Sequence, residues 1–202
     1  ADIFLQIPVG SNIKTLNTMM NVIISENLQD TEFIEKYAEG FEYLKEAVKD
    51  FTPERFERET GVKKELITEA ARMYAKAGSA AICYTMGITQ FSDGTSNVFS
   101  LSNLAILTGN LGKKGAGVNP LRGQNNVQGS CDMGALPNVI PAGAVNSAYA
   151  QEQARKVWHF ELNPVPGFKL TYAPDKMDSG ELKVLYVYGE NPVMSDPWTE
   201  HF

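Results

Sequence analysis

The sequence predicts an α/β chain, a parallel sheet flanked by helices, and two stretches carry that prediction. In "KKELITEAARMYAKAG", residues 63–78, Leu66, Ile67, Ala70, Ala71, Tyr74 and Ala77 share one helical face, and the run leads into "AAICYT", residues 80–85. Near the other end "VLYVY", residues 184–188, leads into "GENP". A run of helical period feeding a short strand that is apolar on both faces is the pattern of a parallel sheet covered on both sides. Residues 80–85 are therefore expected to be a central strand.

The elements follow in order. Ile3, Leu5 and Ile7 alternate as in a strand, and Ser11 can cap a helix on which Ile13, Leu16, Met20, Ile23 and Ile24 recur at helical spacing. Asp30 is a natural cap for "TEFIEKY" with Gly40 as its stop. In "TPERFERETG" Thr52 caps, Pro53 opens and Gly61 closes a second short, charged helix. Gly78 ends the long amphipathic helix. After strand 80–85 comes the polar, turn-rich "MGITQFSDGTSN". "VFSLSNLAILTGNLG" then reads as a helix with Val98, Leu101, Leu104 and Leu107 in register, punctuated by "GKKGAGVNP". From Asn119 to Gly180 periodicity is weak, and "NPVPGFKL" is irregular by composition.

Composition excludes several functions. With 202 residues, 43% of them hydrophobic, the chain suits one domain or two small ones. Its formal net charge is −6 and its longest basic cluster is Lys113 and Lys114, so it carries no nucleic-acid footprint. No apolar run reaches the ~18 residues of a membrane span, and "ADIFLQIPVG" lacks the form of a signal peptide. The two cysteines, Cys83 and Cys131, form no CxxC, so neither a disulfide framework nor a metal site is expected within the chain. The chain opens without Met inside an alternating pattern and stops at "DPWTEHF", which reads as a fragment.

The chemistry-bearing residues gather after the two strands and around one arginine. In open parallel sheets ligands bind beyond the carboxyl ends of the strands. Met86, Gly87, Thr89 and Gln90 follow the first strand; Gly189, Glu190, Asn191 and Ser195 follow the second. Glycine lets a ligand approach the backbone, and Glu190 and Asn191 supply hydrogen-bonding groups suited to a base and ribose. Turn residues without a ligand are the alternative reading of both loops. Between them "NPLRGQNNVQGSCDMGALPN", residues 119–138, holds one cation, Arg122, among Gln124, Asn125, Asn126 and Gln128. A guanidinium there can grip a carboxylate or phosphate with two parallel hydrogen bonds, or it can pair with Asp132 to pin the loop.

The wording of "LAILTGNLGKKGAGVNPLRGQNNVQGSCDMGALPN", preceded by "YTMGITQFSDGTSN" and followed by "YVYGENPV", resembles the catalytic subunit of formate dehydrogenases of the molybdopterin oxidoreductase family. The resemblance takes in most of the chain and weakens between Ala142 and Gly180. It implies a Rossmann-like parallel sheet flanked by helices, within the multi-domain fold shared with dimethyl sulfoxide reductases. Residues 1–121 would be the latter part of one α/β cofactor-binding domain, and 122–202 part of a second, discontinuous one. It further implies formate oxidation to carbon dioxide at molybdenum or tungsten held by two pterin guanine dinucleotides, with a four-iron four-sulfur cluster upstream of this chain. Arg122 takes the position of the arginine that orients the substrate carboxylate, with Gly123 and Gln124 beside the metal centre and its pterin. Met86, Gly87 and Gln90 fall in the element contacting one dinucleotide. Gly189, Glu190, Asn191 and Ser195 fall in the element holding a nucleotide part.

The chain departs from the family's pattern in lacking the cysteine cluster and the Cys or selenocysteine followed by His, so no metal ligand is assigned here. The implied partners are formate, the rest of the catalytic subunit and electron-transfer subunits, in the cytoplasm unless an upstream export signal says otherwise. A non-catalytic module and a relative acting on nitrate are the rival readings. Cys131 is expected to be a buried thiol, Trp158 and Phe160 to cover a core, and His159 and His201 to be solvated or packing residues.

Overall fold

A computed structural model describes residues 1–195 and 200, in two compact units, 1–123 and 124–202. His201 lies outside the described residues.

The first unit is organised around helix α1 (Asn12–Ser25). Its predicted stripe is real: Leu16, Met20 and Ile23 are buried, and Val22 joins them. Ser11 precedes the helix but makes no capping bond; its carbonyl instead accepts from the Thr15 hydroxyl at 2.8 Å. Helix α2 (Thr31–Tyr37) is capped by Asp30, whose carboxylate accepts from Phe33 N. Gly40 does not end α2. It stands in left-handed conformation, φ 80°, at the start of α3 (Phe41–Val48), a helix the sequence reading did not contain. Its one fully buried side chain is Val48, so the apolar signal was too sparse to read. Helix α4 (Pro53–Thr60) has the expected Thr52 cap, Pro53 opening and left-handed Gly61, φ 75°. Helix α5 (Lys64–Lys76) buries Ile67 and Ala71.

Strand β1 (Ala81–Tyr84) follows α5, and two helices, α6 (Met86–Thr89) and α7 (Gly94–Leu107), lead to strand β2 (Gly117–Pro120). The strands pair in parallel, Ala81 opposite Gly117 and Tyr84 opposite Pro120. This βαβ unit confirms the α/β class. Leu101, Leu104 and Leu107 of α7 are buried as expected and close the core with α1. Buried Asn110 anchors the strand: its Oδ1 accepts from Ala80 N at 3.0 Å and its Nδ2 donates to Thr108 Oγ1 at 2.9 Å.

Three strand expectations are corrected. Residues 80–85 do not form a central strand buried on both faces; β1 has β2 as its one partner among the described residues, and Ala81 and Cys83 are exposed. Residues 3–7 and 184–188 join no ladder. An apolar run fixes a tendency to be extended, but a strand also needs a neighbour, and sequence does not say where that neighbour is. Leu5 and Ile7 pack instead on Phe56, Val62 and Ile67.

The second unit contains α8 (Val127–Asp132), a short hairpin of β3 (Val139–Ile140) and β4 (Gly143–Ala144), α9 (Ala148–Trp158), α10 (Ala173–Asp178) and α11 (Pro192–Ser195). Ser147 caps α9, accepting from Ala150 N, and His159 ends it in left-handed conformation, φ 59°. Trp158 and Phe160 are exposed and stack on each other at 6.0 Å, so they do not cover a core. Cys131 is half-buried rather than buried.

An ion-pair network ties α1 to α4. Lys14 Nζ lies 2.8 Å and Arg55 Nε 2.7 Å from the Glu59 carboxylate, and these hydrogen bonds lower its pKa from 4.5 to about 2. A depressed carboxyl contributes stability above its unfolded value and loses it as the folded group protonates. The contribution is therefore present above pH 4.5 and fades toward pH 2. The unfolding temperature of the natural chain should exceed that of Glu59→Gln at neutral pH, and the gap should close over this window. Because the group is exposed, the gap should be small and should shrink in high salt. A gap that stays constant down to pH 2 would show that the network contributes nothing.

Candidate functional site

The parallel pairing brings two of the predicted ligand segments to one place. Because β1 and β2 run the same way, their carboxyl ends lie side by side, and Leu121 N donates to Tyr84 O at 2.7 Å, one step beyond the ladder. The chain leaving β1 is Thr85 and then Met86–Thr89; the chain leaving β2 is Leu121, Arg122 and Gly123. Two segments 37 positions apart in sequence are thereby brought together. The Met86 Cε lies 3.9 Å from where a Cβ on Gly123 would stand. Met86, Gly87, Gln90, Arg122, Gly123 and Gln124 are all exposed.

The 86–90 loop is held from behind by two asparagines. Asn97 on α7, buried, donates to Ile88 O at 2.9 Å, and Asn12 at the start of α1 donates to Gly87 O at 3.3 Å. Sequence reading missed both as positioning residues. The signal for Asn97 was a carboxamide one turn before Leu101 on the buried face of a helix, where an unpartnered amide would be costly.

Gly94 pinches the same loop. A Cβ there would stand 2.2 Å from Thr89 O and 3.0 Å from Thr89 C, both backbone atoms, so the loop itself must move. Gly94→Ala should cost about 1–3 kcal/mol of stability, the usual range for overpacking. At Gly87 a Cβ meets nothing within 4 Å, so Gly87→Ala serves as the control in a denaturant titration. Equal, small losses for the two would show that the 89–94 approach is looser than described.

Beyond Gly123 the backbone turns at Asn126 in left-handed conformation, φ 57°, into α8. Asp132 accepts from Gln128 Nε2 at 2.9 Å, one turn away on that helix. In the second unit Gly189 is also left-handed, φ 71°, and precedes Glu190 and Asn191. The Ser195 hydroxyl stands 3.2 Å from Glu190 Oε1 and 3.0 Å from Asn191 O, so the loop closes on itself through one shared proton. An open apolar groove of about 490 Å³ lies elsewhere, between α2, α3 and α7, and none of the predicted ligand residues lines it.

Among the described residues no three His, Cys, Asp or Glu side chains stand together as metal ligands. No helix among them is long and apolar enough to cross a membrane. What the strand ends do present is open glycine backbone at Gly87 and Gly123, with carboxamides and one guanidinium around it. That donor set suits a large, polar, planar group such as a pterin nucleotide, which needs close backbone approach and many fixed hydrogen bonds.

The fold defines an α/β protein with a small parallel sheet, and its strand ends are where ligands bind in open sheets of this kind. The model of the molybdopterin oxidoreductase family matches residues 4–201, and the chain belongs to that family. A molybdopterin-type cofactor with its metal is the group this family carries. The chain is 52% identical over 204 aligned residues to the F420-dependent formate dehydrogenase subunit alpha of Methanocaldococcus jannaschii, covering 100% of itself and 30% of that protein. With formate dehydrogenase H of Escherichia coli identity is 48% over 198 residues, 97% of this chain and 28% of the relative. Among solved structures, acetylene hydratase from Pelobacter acetylenicus superimposes with a TM-score of 0.55 at 30% identity, over 57% of this chain and 16% of that one. The chain thus spans less than a third of the length of the curated relatives it matches.

Proposed function

We propose that this chain is part of a formate dehydrogenase catalytic subunit that oxidises formate to carbon dioxide, one proton and two electrons. The observation that carries the reading is overall identity of 48–52% to formate dehydrogenases across 97–100% of the chain. Residues 1–121 are assigned to one α/β cofactor-binding domain and 122–202 to a second, discontinuous one. The cofactor is proposed to be two pterin guanine dinucleotides with molybdenum or tungsten, which supply the two-electron redox chemistry when bound. A four-iron four-sulfur cluster is expected from the part of the subunit outside this chain.

The chain's own residues bind and orient. Met86, Gly87 and Gln90 hold one dinucleotide through open backbone and side-chain amide, and Gly123 and Gln124 line the pterin side of the centre. Gly189, Glu190, Asn191 and Ser195 hold a nucleotide part, Glu190 accepting from sugar or base donors. Arg122 grips the formate carboxylate with two parallel N–H donors, which fixes the direction of the C–H bond. A guanidinium offers charge and a fork of donors but no acceptor, so its role is positioning and electrostatic.

The test uses the complete subunit, purified with its metal and assayed by dye reduction. Formate-dependent reduction with no nitrate activity is expected; the reverse would place the chain in a branch acting on another oxyanion. The chain alone is expected to be inactive, since it spans less than a third of its relatives' length. Stoichiometric molybdenum or tungsten and formate-dependent turnover from the chain alone would overturn that. A cytoplasmic location belongs to the same proposal, and the amino-terminal sequence of the mature subunit checks it.

A further inference from the structure

The chain's charge is not spread evenly. Residues 26–69 hold thirteen acidic and seven basic side chains, a balance of −6 that equals the formal net charge of the whole chain. That stretch includes α2 and α3, and these helices, with α7, enclose the open apolar groove of about 490 Å³. Tyr37, Phe41, Tyr43, Leu44 and Ile106 line it. Tyr37 is 65% exposed and Tyr43 85%. The apolar surface runs on along α7 to Phe99, 65% exposed and two turns before Ile106 on the same helical face. Three exposed aromatic rings around one apolar groove are the composition of a binding surface.

The rim selects the occupant. Glu39 lines the groove, and Glu32, Glu35 and Glu39 make no ion pair among the described residues. Lys45 and Lys49 are already paired, with Glu42 and Glu46, while Lys36 lies over the Tyr37 ring at 5.0 Å. A permanent layer of the subunit laid over the groove would take these carboxylates out of water without partners, which is costly. A second copy of this chain brings the same negative face, and the longest basic cluster it offers in return is Lys113 and Lys114. Like charges brought together cost affinity. A separate chain with lysines or arginines flanking an apolar anchor fits instead: the anchor fills the groove, and the cations meet the carboxylates at a rim that stays partly in water.

We infer that the groove between α2, α3 and α7 docks a basic segment of another protein chain in the assembly to which the subunit belongs. The inference rests on the reading of this chain as part of an enzyme that works with other subunits. None of the predicted ligand residues lines the groove, so docking and formate turnover should be separable.

Photocrosslinking tests it, with Tyr43 replaced by p-benzoylphenylalanine in the complete subunit produced together with its electron-transfer subunits. The expected product joins position 43 to a peptide of another chain in which lysine or arginine flanks apolar residues. A cross-link to the subunit itself or to a second copy, or none to any other chain, would overturn the inference. Glu35→Lys combined with Glu39→Lys should raise the dissociation constant for that chain, purified separately, by about tenfold or more at low salt, and the deficit should shrink as salt rises. Both residues are exposed, so unfolding temperature and formate-dependent dye reduction should match those of the natural subunit. Unchanged affinity in the double variant would also overturn the inference. Absence of formate-dependent dye reduction in the natural subunit would count against the enzymatic reading alone, and the cross-link would still decide the groove.

Discussion

Replacing Arg122 by alanine in the complete subunit should lower formate turnover by about thirtyfold to several-thousandfold. Truncating one side of a charge-assisted hydrogen-bonded pair costs roughly 2–5 kcal/mol, which converts to that range of rates. The loss should fall mainly on kcat, because misoriented formate can still bind while its C–H bond points away from the reacting centre. Arg122→Lys separates charge from shape. It keeps the cation but replaces a planar fork with a point charge, so it should recover only part of the lost rate. Metal and pterin content should stay near that of the natural subunit, since Met86, Gly87, Gln90, Gly123 and Gln124 are proposed to hold the dinucleotide side. Near-normal turnover in Arg122→Ala would remove the clamp role and leave the arginine a structural part of its loop. Loss of the metal along with activity would instead make Arg122 a cofactor residue.

The candidate site was legible in sequence to the extent that local chemistry marks it. The glycines and amides after residues 85 and 188 stood out because helices and strands do not use them there, and β1 and β2 do place the Met86 and Arg122 segments together. The supports of the site were not legible. Asn97 and Asn12 act through carbonyls 9 and 75 positions away, and nothing in the spacing of either names its partner. Gly94 matters through a close approach to Thr89 that exists only once the loop has folded.

The fold shows the same division. Helices were read well where caps and stripes are local, as at Thr52–Gly61 and along α1 and α5. Strands were read poorly because pairing is non-local. Residues 80–85 and 184–188 carry the same apolar signal, yet one has a single neighbour and the other has none among the described residues.

The core under α1 should prove as consequential as the arginine. Ile23 is fully buried, with Met20, Val22, Leu104 and Leu107 in the same cluster, on a helix that packs against α3, α4, α5 and α7. Its cluster draws on α2, α3, α5 and α7 as well as α1, and side chains on so many elements cannot all follow one shortened side chain inward, so Ile23→Ala should leave part of its cavity open. The expected loss is about 2–5 kcal/mol, against about 0.5–1.5 kcal/mol for Ile23→Val, which removes a single methylene. Set beside a typical stability of about 5–15 kcal/mol, the larger loss endangers the whole first unit. The consequence reaches the strand ends, because Asn12 on α1 and Asn97 on α7 hold the backbone of the 86–90 loop. In the complete subunit Ile23→Ala should therefore retain less cofactor at elevated temperature, while the turnover of molecules that keep it stays normal. Denaturant unfolding followed by far-ultraviolet circular dichroism gives the stability arm and metal content after heating gives the other. If Ile23→Ala costs no more than Ile23→Val, the centre of the core lies elsewhere. If turnover per bound metal falls as steeply as stability, α1 shapes the site directly rather than holding it in place.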